Sequence, residues 1–149
     1  MSHLTSVTRS ELENRSDARL WALIDYLTER NGCIDDPGLQ KIWLTWRYDC
    51  QVQNGGHLQY FHNMDTTDVP KTISALLEVG AEKHAEILKS CFARSGAVNR
   101  VRSLEEYSEM AAERSFTEDS DYYALKPSMF DILQAFYAKD LESWVAVEA

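Results

Sequence analysis

The sequence predicts an all-α fold: a single compact domain of about six helices with a central helix–Asn-Gly-Gly–helix turn. Three observations predict it. Apolar residues recur at steps of three and four along most of the chain, no stretch alternates apolar and polar residues in steps of two, and there is no internal repeat. A chain of 149 residues with 44% hydrophobic residues is most simply one domain with its own core.

Residues typical of helix ends divide the chain into its predicted segments. They are Ser, Asp or Pro at helix starts and Gly or Asn at helix stops, and they lie at Ser16-Asp17, Asn31-Gly32, Asp35-Asp36-Pro37, Asp68-Val69-Pro70, Gly80, Gly96, Ser103 and Pro127. Residues 1–15 are polar and are predicted to be a loosely ordered N-terminus, and residues 16–149 are predicted to form the single helical domain. Residues 117–121 are predicted to be an acidic loop, and residues 127–144 the final helix.

The central turn lies in the aromatic-rich segment from Tyr48 to Asp65. Its Asn-Gly-Gly triplet interrupts a long helical pattern, because paired glycines readily adopt positive φ and Asn tolerates it. Asn54 or Gly55 is therefore predicted to be the left-handed residue that ends the incoming helix. A short helix is predicted to restart at His57.

Charge and cysteine content narrow the classes of function. The chain has 24 acidic and 15 basic residues and a net charge of −9, which argues against direct nucleic-acid or membrane binding and favours a basic protein partner. No apolar run is long enough to span a bilayer, and the N-terminus lacks the apolar segment of a secretory signal. The three cysteines are widely spaced and form no Cys-x-x-Cys pair, so we expect reduced thiols in a cytoplasmic protein.

The central segment also holds the candidates for chemistry. His57 and His62 are five residues apart, a spacing that turns the two rings away from a common helix face and disfavours a metal site. Cys50 lies beside Asp49, which works against an activated thiolate. We therefore predict no catalytic residue, no metal and no cofactor. The alternative is an enzyme or small-ligand-binding protein with a pocket formed by Asn54, Gly55, Gly56, His57, Tyr60 and His62.

A run of acidic residues lies late in the chain. Ser103 and Glu106 fit a capping box that would begin a helix there, and Glu105, Glu109 and Glu113 recur at steps of four on one face of it. Such a row of carboxylates is either a solvated surface or a substitute for DNA phosphates facing an Arg- and Lys-rich protein. We predict an acidic protein-interaction face, whose members are Glu105, Glu106, Glu109, Glu113, Glu118, Asp119 and Asp121.

Four segments together resemble a known family: the helix with Trp43 and Trp46, the central turn YDCQVQNGGHLQYFHN, and the stretches VPKTISALLEVGAEKHAEIL and SDYYALKPSMFDILQAFYAKDLESW. They resemble the bacterial DNA-mimic (DMP-type) domain family, otherwise a domain of unknown function, over roughly residues 39–144. The family commonly has Phe after the second Gly, where this chain has His57, so we expect a more exposed turn than in relatives. The residues of the family motif, predicted to be mainly structural, are Asn54, Gly55, Gly56, Gln59, Tyr60, Phe61 and Asn63.

The resemblance implies a helical and cytoplasmic protein. We predict that it is a non-enzymatic, acidic interaction protein. The best-known member of the family is a homodimer whose acidic surface occupies the DNA-binding face of a transcription factor. By this resemblance we expect a DNA mimic that binds a basic DNA-binding protein or transcription regulator, and a homodimer. A fold does not fix a function, so two alternatives stay open: the enzyme or ligand-binding protein described above, and a toxin-immunity-type protein.

Overall fold

The computed structural model describes residues 2–65, 67–94 and 116–149, and in these residues the chain is mostly helical. The predicted helix that would carry Glu105, Glu106, Glu109 and Glu113 lies outside the described residues. The elements in chain order are β1 (Thr5–Thr8), α1 (Arg9–Asn14), α2 (Ala18–Glu29), α3 (Pro37–Asn63), α4 (Asp68–Glu78), α5 (Glu82–Phe92), α6 (Glu118–Tyr123), α7 (Met129–Phe136), α8 (Ala138–Trp144) and β2 (Val145–Glu148).

The N-terminal segment contains a strand and a short helix, where the sequence predicted a loosely ordered stretch. β1 pairs in parallel with β2, from Thr5 opposite Val145 to Thr8 opposite Glu148. Thr8 then begins α1 with a capping box, because its hydroxyl accepts the Glu11 N–H while the Glu11 carboxylate accepts the Thr8 N–H. Each strand has only four residues, too few for an alternating pattern to be recognised in the sequence.

The chain divides into two compact units, Met1–Trp43 with Phe130–Ala149 and Leu44–Met129. The core of the first unit is mainly aliphatic and includes Val7, Leu20, Leu23, Ile24, Leu27, Leu39, Ile42, Leu133, Leu141 and Val145. The core of the second unit is richer in aromatic residues and includes Tyr48, Val52, Tyr60, Phe61, Leu76, Leu88, Phe116 and Tyr122. None of the described helices is long and apolar enough to cross a membrane.

Several helix boundaries lie where the sequence predicted them. α2 begins after Asp17, and it is followed by Asn31 and Gly32 with φ of 51° and 73°. α4 begins at Asp68, and Gly80 follows it with φ of 84°. The ends of these helices were predictable because a left-handed Asn or Gly acts on the adjacent backbone alone. Neither start has a side-chain cap hydrogen bond.

Two predictions near the C-terminus are wrong. The acidic stretch predicted as a loop contains helix α6, whose Tyr122 is buried. The predicted final helix is divided into α7 and α8 at Tyr137, which has a φ of −99° and a ψ of 17°. Short helices depend on tertiary packing more than on local propensity. The burial of Tyr122 and Tyr137 therefore accounts for helix α6 and for the division between α7 and α8, which the local sequence pattern does not indicate.

Candidate functional site

The central Asn-Gly-Gly motif forms a kink within α3. Gly55 (φ −151°, ψ 19°) and Gly56 (φ 74°, ψ −177°) leave helical geometry, and the helix continues from His57. The left-handed residue is therefore Gly56, where Asn54 or Gly55 was predicted. A Cβ on Gly56 would collide with the Asp119 carboxylate. Glycine is thus required there both by the positive φ and by the close approach of Asp119.

A chain of hydrogen bonds connects this kink with α6. Asp119 Oδ1 accepts two hydrogen bonds from His57, one from the backbone N–H at 3.0 Å and one from ring Nδ1 at 2.6 Å. The other ring nitrogen, Nε2, lies 2.7 Å from the Tyr48 hydroxyl. With Nδ1 donating to the carboxylate, the neutral ring accepts the Tyr48 O–H at Nε2. Both ring nitrogens and the backbone N–H of His57 are therefore paired.

His57 is fully buried, with an exposed fraction of 0%. The expected exposure of this turn does not extend to His57, because Asp119, 62 residues further along the chain, supplies a partner for the ring. Burial lowers the pKa of His57, and the Asp119 carboxylate opposes this shift without reversing it. Burial also raises the pKa of Tyr48 well above its ordinary value. At neutral pH both groups are uncharged, and neither is open to a substrate.

Side-chain amides connect the two halves of α3 across the kink. Gln51, before the kink, accepts hydrogen bonds at Oε1 from Gln59 Nε2 and Asn63 Nδ2, both at 2.9 Å. Asn54 Nδ2 donates to Gln59 Oε1 at 3.2 Å. Four amide side chains thus bind each other, and a structural role for these motif residues accounts for their contacts.

The acidic residues of α6 differ in what they contact. Glu118 forms an ion pair with Arg94 and accepts a hydrogen bond from Ser90 Oγ at 3.0 Å. Although burial raises its pKa, the hydrogen bonds from Arg94 and Ser90 lower the pKa of Glu118 to about 2. Asp119 is bound to His57, while Asp121 is exposed. Of the predicted interaction face, the structure therefore engages two members within the chain and leaves Asp121 facing solvent.

The residues of the alternative ligand pocket do not share one environment. His57 and Tyr60 are buried, and Tyr60 Oη donates to Thr72 Oγ1 at 3.4 Å, whereas His62 is exposed. Burial and the neighbouring Asp49 raise the pKa of Cys50 to about 11, so this residue is a thiol at neutral pH and a weak nucleophile. Within residues 2–65, 67–94 and 116–149, no three His, Cys, Asp or Glu side chains are grouped to hold a metal ion.

A groove in the first unit is a feature that the sequence analysis missed. Its volume is about 470 Å³, and β1, α1 and α2 line it. One stripe of α2 lies along the groove and carries Ala18, Ala22, Asp25, Tyr26 and Glu29. The three- and four-residue steps of this stripe are visible in the sequence, but only the placement of β1 and α1 beside it creates a groove.

The kinked helix and its polar network lie in a region that matches a known family. The chain belongs to the DMP19-like protein family, whose family model matches residues 35–147. The resemblance seen in the central motif is thereby confirmed. No curated protein and no solved structure is significantly similar to the chain. The matched range includes the kink and Asp119, whereas β1, α1 and α2, which line the groove, precede it.

Proposed function

We propose that the protein is a non-enzymatic acidic interaction protein, a DNA mimic that binds the basic face of a DNA-binding protein or transcription regulator. The observation that carries this proposal is the net charge of −9 in a member of the DMP19-like family. A surface with this excess of carboxylates repels DNA and attracts Arg- and Lys-rich surfaces, mainly through the association rate. The family resemblance also supports a homodimer in the cytoplasm.

The contacts of α6 narrow the surface that would meet the partner. Glu118 and Asp119 are held by Arg94 and His57, so their carboxylates are less available to a second protein. Asp121 is exposed. We therefore assign the interaction to Asp121 together with the predicted helical row Glu105, Glu106, Glu109 and Glu113.

The burial of the polar network supports a binding role over an enzymatic one. A general acid or base must come within hydrogen-bonding reach of its substrate, and His57 is fully buried. The Cys50 thiol, whose pKa is raised to about 11, is poorly suited to nucleophilic attack. These observations favour the interaction protein over the enzyme that the sequence left open.

Capture from a bacterial lysate tests the proposal. The immobilised protein should retain a DNA-binding protein at low salt and release it at high salt, since ionic strength screens exposed charges. Duplex DNA should displace the captured protein, because a mimic and DNA occupy the same face. Capture of a partner that duplex DNA does not displace would contradict the DNA-mimic function, and so would the capture of no basic protein.

Two matched triple variants locate the interacting face. Glu105→Gln, Glu109→Gln and Glu113→Gln together should weaken capture and make the remaining binding less salt-dependent. The control removes the same number of charges at exposed positions of α4 and α5, with changes to Gln at Glu78, Glu82 and Glu86. Equal losses in both variants would mean that total charge, and not this face, determines binding.

A further inference from the structure

Small side chains line one side of the groove in the first unit. Ala18 and Ala22 lie one helical turn apart on α2, so their methyl groups leave the space between α1 and α2 unfilled. Tyr26 follows at the next turn and adds an aromatic wall. A volume of about 470 Å³ is within the range of sites that hold several side chains of a ligand.

One strand edge borders this groove. β1 has β2 as its strand neighbour, and the sheet that the described residues form contains these two strands. Leu4 donates its N–H to the Trp144 carbonyl at 2.8 Å on the β2 side. Because the described sheet has two strands, β1 has one edge that β2 does not bond. Thr5, Ser6 and Val7 line the groove, and an extended segment could add to β1 at that edge.

The charges around the groove select a cationic occupant. Three carboxylates line it, from Glu11, Asp25 and Glu29, against the guanidinium of Arg15. The Glu11 carboxylate accepts the Thr8 N–H, and Arg30 lies 3.8 Å from Glu29. Arg15 already forms an ion pair with Asp17 at 3.3 Å. The Asp25 carboxylate is exposed, and no hydrogen bond or ion pair in the described part of the chain uses it.

The aromatic wall already binds a guanidinium from the same chain. The Arg30 guanidinium carbon lies 3.4 Å from the centroid of the Tyr26 ring, and Arg30 Nη1 donates to the Tyr26 carbonyl at 3.0 Å. Guanidinium groups stack on aromatic rings and pair with carboxylates in two-point geometry, which an ammonium group does less well. The Tyr26 ring therefore accepts a guanidinium, and Arg30 would have to leave it before a partner's arginine could bind there.

We propose that the groove binds an extended, arginine-rich segment of a partner protein. Its main chain lies along β1 and its guanidinium groups lie against Asp25 and Glu29. This inference rests on the proposed function, since it names a contact that a basic partner would make. It also goes beyond the family, because the residues from β1 to α2 precede the matched range.

The test uses the full chain and a synthetic peptide of alternating arginine and threonine. A second peptide carries citrulline, a neutral analogue, at every arginine position. Ala22→Leu fills the groove without changing the charge or the helix propensity of α2, and it should weaken binding of the arginine peptide about tenfold, measured by fluorescence anisotropy. The citrulline peptide should bind at least about tenfold more weakly than the arginine peptide.

A charge variant and its control separate the groove from the total charge of the protein. Asp25→Asn with Glu29→Gln should weaken peptide binding about tenfold. Glu82→Gln with Glu86→Gln removes two exposed charges from α5 and should change affinity less than about threefold. Since Asp25 and Glu29 are exposed, this comparison remains decisive even if Ala22→Leu disturbs the fold.

The outcomes distinguish the groove from the wider proposal. Equal binding by the parent, Ala22→Leu and the charge variant would overturn the groove as the site, while capture of a DNA-displaceable partner would still support the proposed function. Equal binding of the two peptides would overturn the arginine preference, and so would the absence of binding by both. Binding of the peptide in the groove without any DNA-displaceable partner from the lysate would overturn the DNA-mimic function alone.

Discussion

The kink of α3 and the groove beside β1 both contain carboxylates. These carboxylates differ in whether the chain itself supplies a hydrogen-bond donor to them. At the kink, Asp119 accepts the backbone and ring N–H groups of His57. In the groove, Asp25 is exposed and the described residues supply no donor to it. A buried polar group must be paired inside the fold, whereas an exposed one can exchange water for a partner.

The comparison shows that a count of acidic residues does not identify a binding surface. Glu118 and Asp119 belong to the most acidic stretch of the described residues, yet their contacts are internal. Asp25 and Glu29 lie on a helix that is mostly apolar, and they face the groove. Whether a carboxylate is available depends on what packs beside it.

The largest effect should come from closing the space at the kink. Gly56→Val combines a β-branched residue at a φ of 74° with a collision against Asp119, and we expect a loss of about 3 kcal/mol or more in the free energy of unfolding. Thermal and urea unfolding followed by circular dichroism measure it. Gly80→Val is the matched control: its φ of 84° is also left-handed, but no described atom lies within 4 Å of an added Cβ. Equal losses in the two variants would show that the collision with Asp119 is not the cause.

Removal of the carboxylate at the kink should have the next largest effect. Asp119→Ala leaves the backbone N–H and ring Nδ1–H of His57 without their acceptor, and we expect a loss of about 3 kcal/mol in unfolding free energy. Asp121→Ala removes an exposed carboxylate from the same helix and should change stability by less than about 0.5 kcal/mol. Similar stability in the two variants would mean that water can replace Asp119.

The kink was predictable from the sequence only in part. Adjacent glycines indicate an irregular backbone, and the sequence placed it correctly within a residue or two. Which residue has positive φ depends on Asp119, which approaches Gly56 from a distant part of the chain. The same contact explains why His57 could not be predicted to be buried, since its partner is 62 residues away.

The two-stranded sheet and the groove were not predictable from local patterns. β1 and β2 come from opposite ends of the chain, and each is too short to show its period. Ala18, Ala22, Asp25 and Glu29 repeat at helical steps, but the same steps are typical of any helix surface. Only tertiary packing makes this stripe one wall of a groove. The family motif, by contrast, is continuous in sequence and could be recognised directly.

A pH series tests the role of the buried His57 ring. Burial lowers the pKa of His57 from its ordinary 6.5, so the unfolded chain binds more protons than the folded chain as pH falls through that value. We therefore expect the contribution of His57 to favour the folded state most above pH 6.5 and to decrease as pH falls below it. His84, whose pKa burial also lowers, adds to this slope. The contribution of Glu118 is lost only at lower pH, between 4.5 and about 2.

Replacement of the ring isolates the contribution of His57. His57→Phe lowers stability at every pH, because Tyr48 and Asp119 lose their partner, but it should also reduce the slope of unfolding free energy against pH around 6.5. Gln53→Ala, a change without a titrating group at an exposed position, is the control and should leave the slope unchanged. Urea unfolding across this pH range measures both. An unchanged slope in His57→Phe would show that the buried ring does not determine the acid sensitivity.

We expect the smallest effect on stability at the groove. This effect gives the most direct contrast with the loss of stability expected at the kink. Asp25 has no internal donor among the described residues, and the Glu29 side chain is 78% exposed with Arg30 3.8 Å away. Exposed pairs of this kind contribute about 0–1 kcal/mol, so Asp25→Asn with Glu29→Gln should change the free energy of unfolding by less than about 1 kcal/mol. Urea unfolding beside Asp119→Ala measures the contrast. A loss as large as that of Asp119→Ala would mean that these carboxylates support the fold. A near-zero loss with weakened binding of the arginine peptide would show that they serve recognition, because the fold would then not depend on either carboxylate.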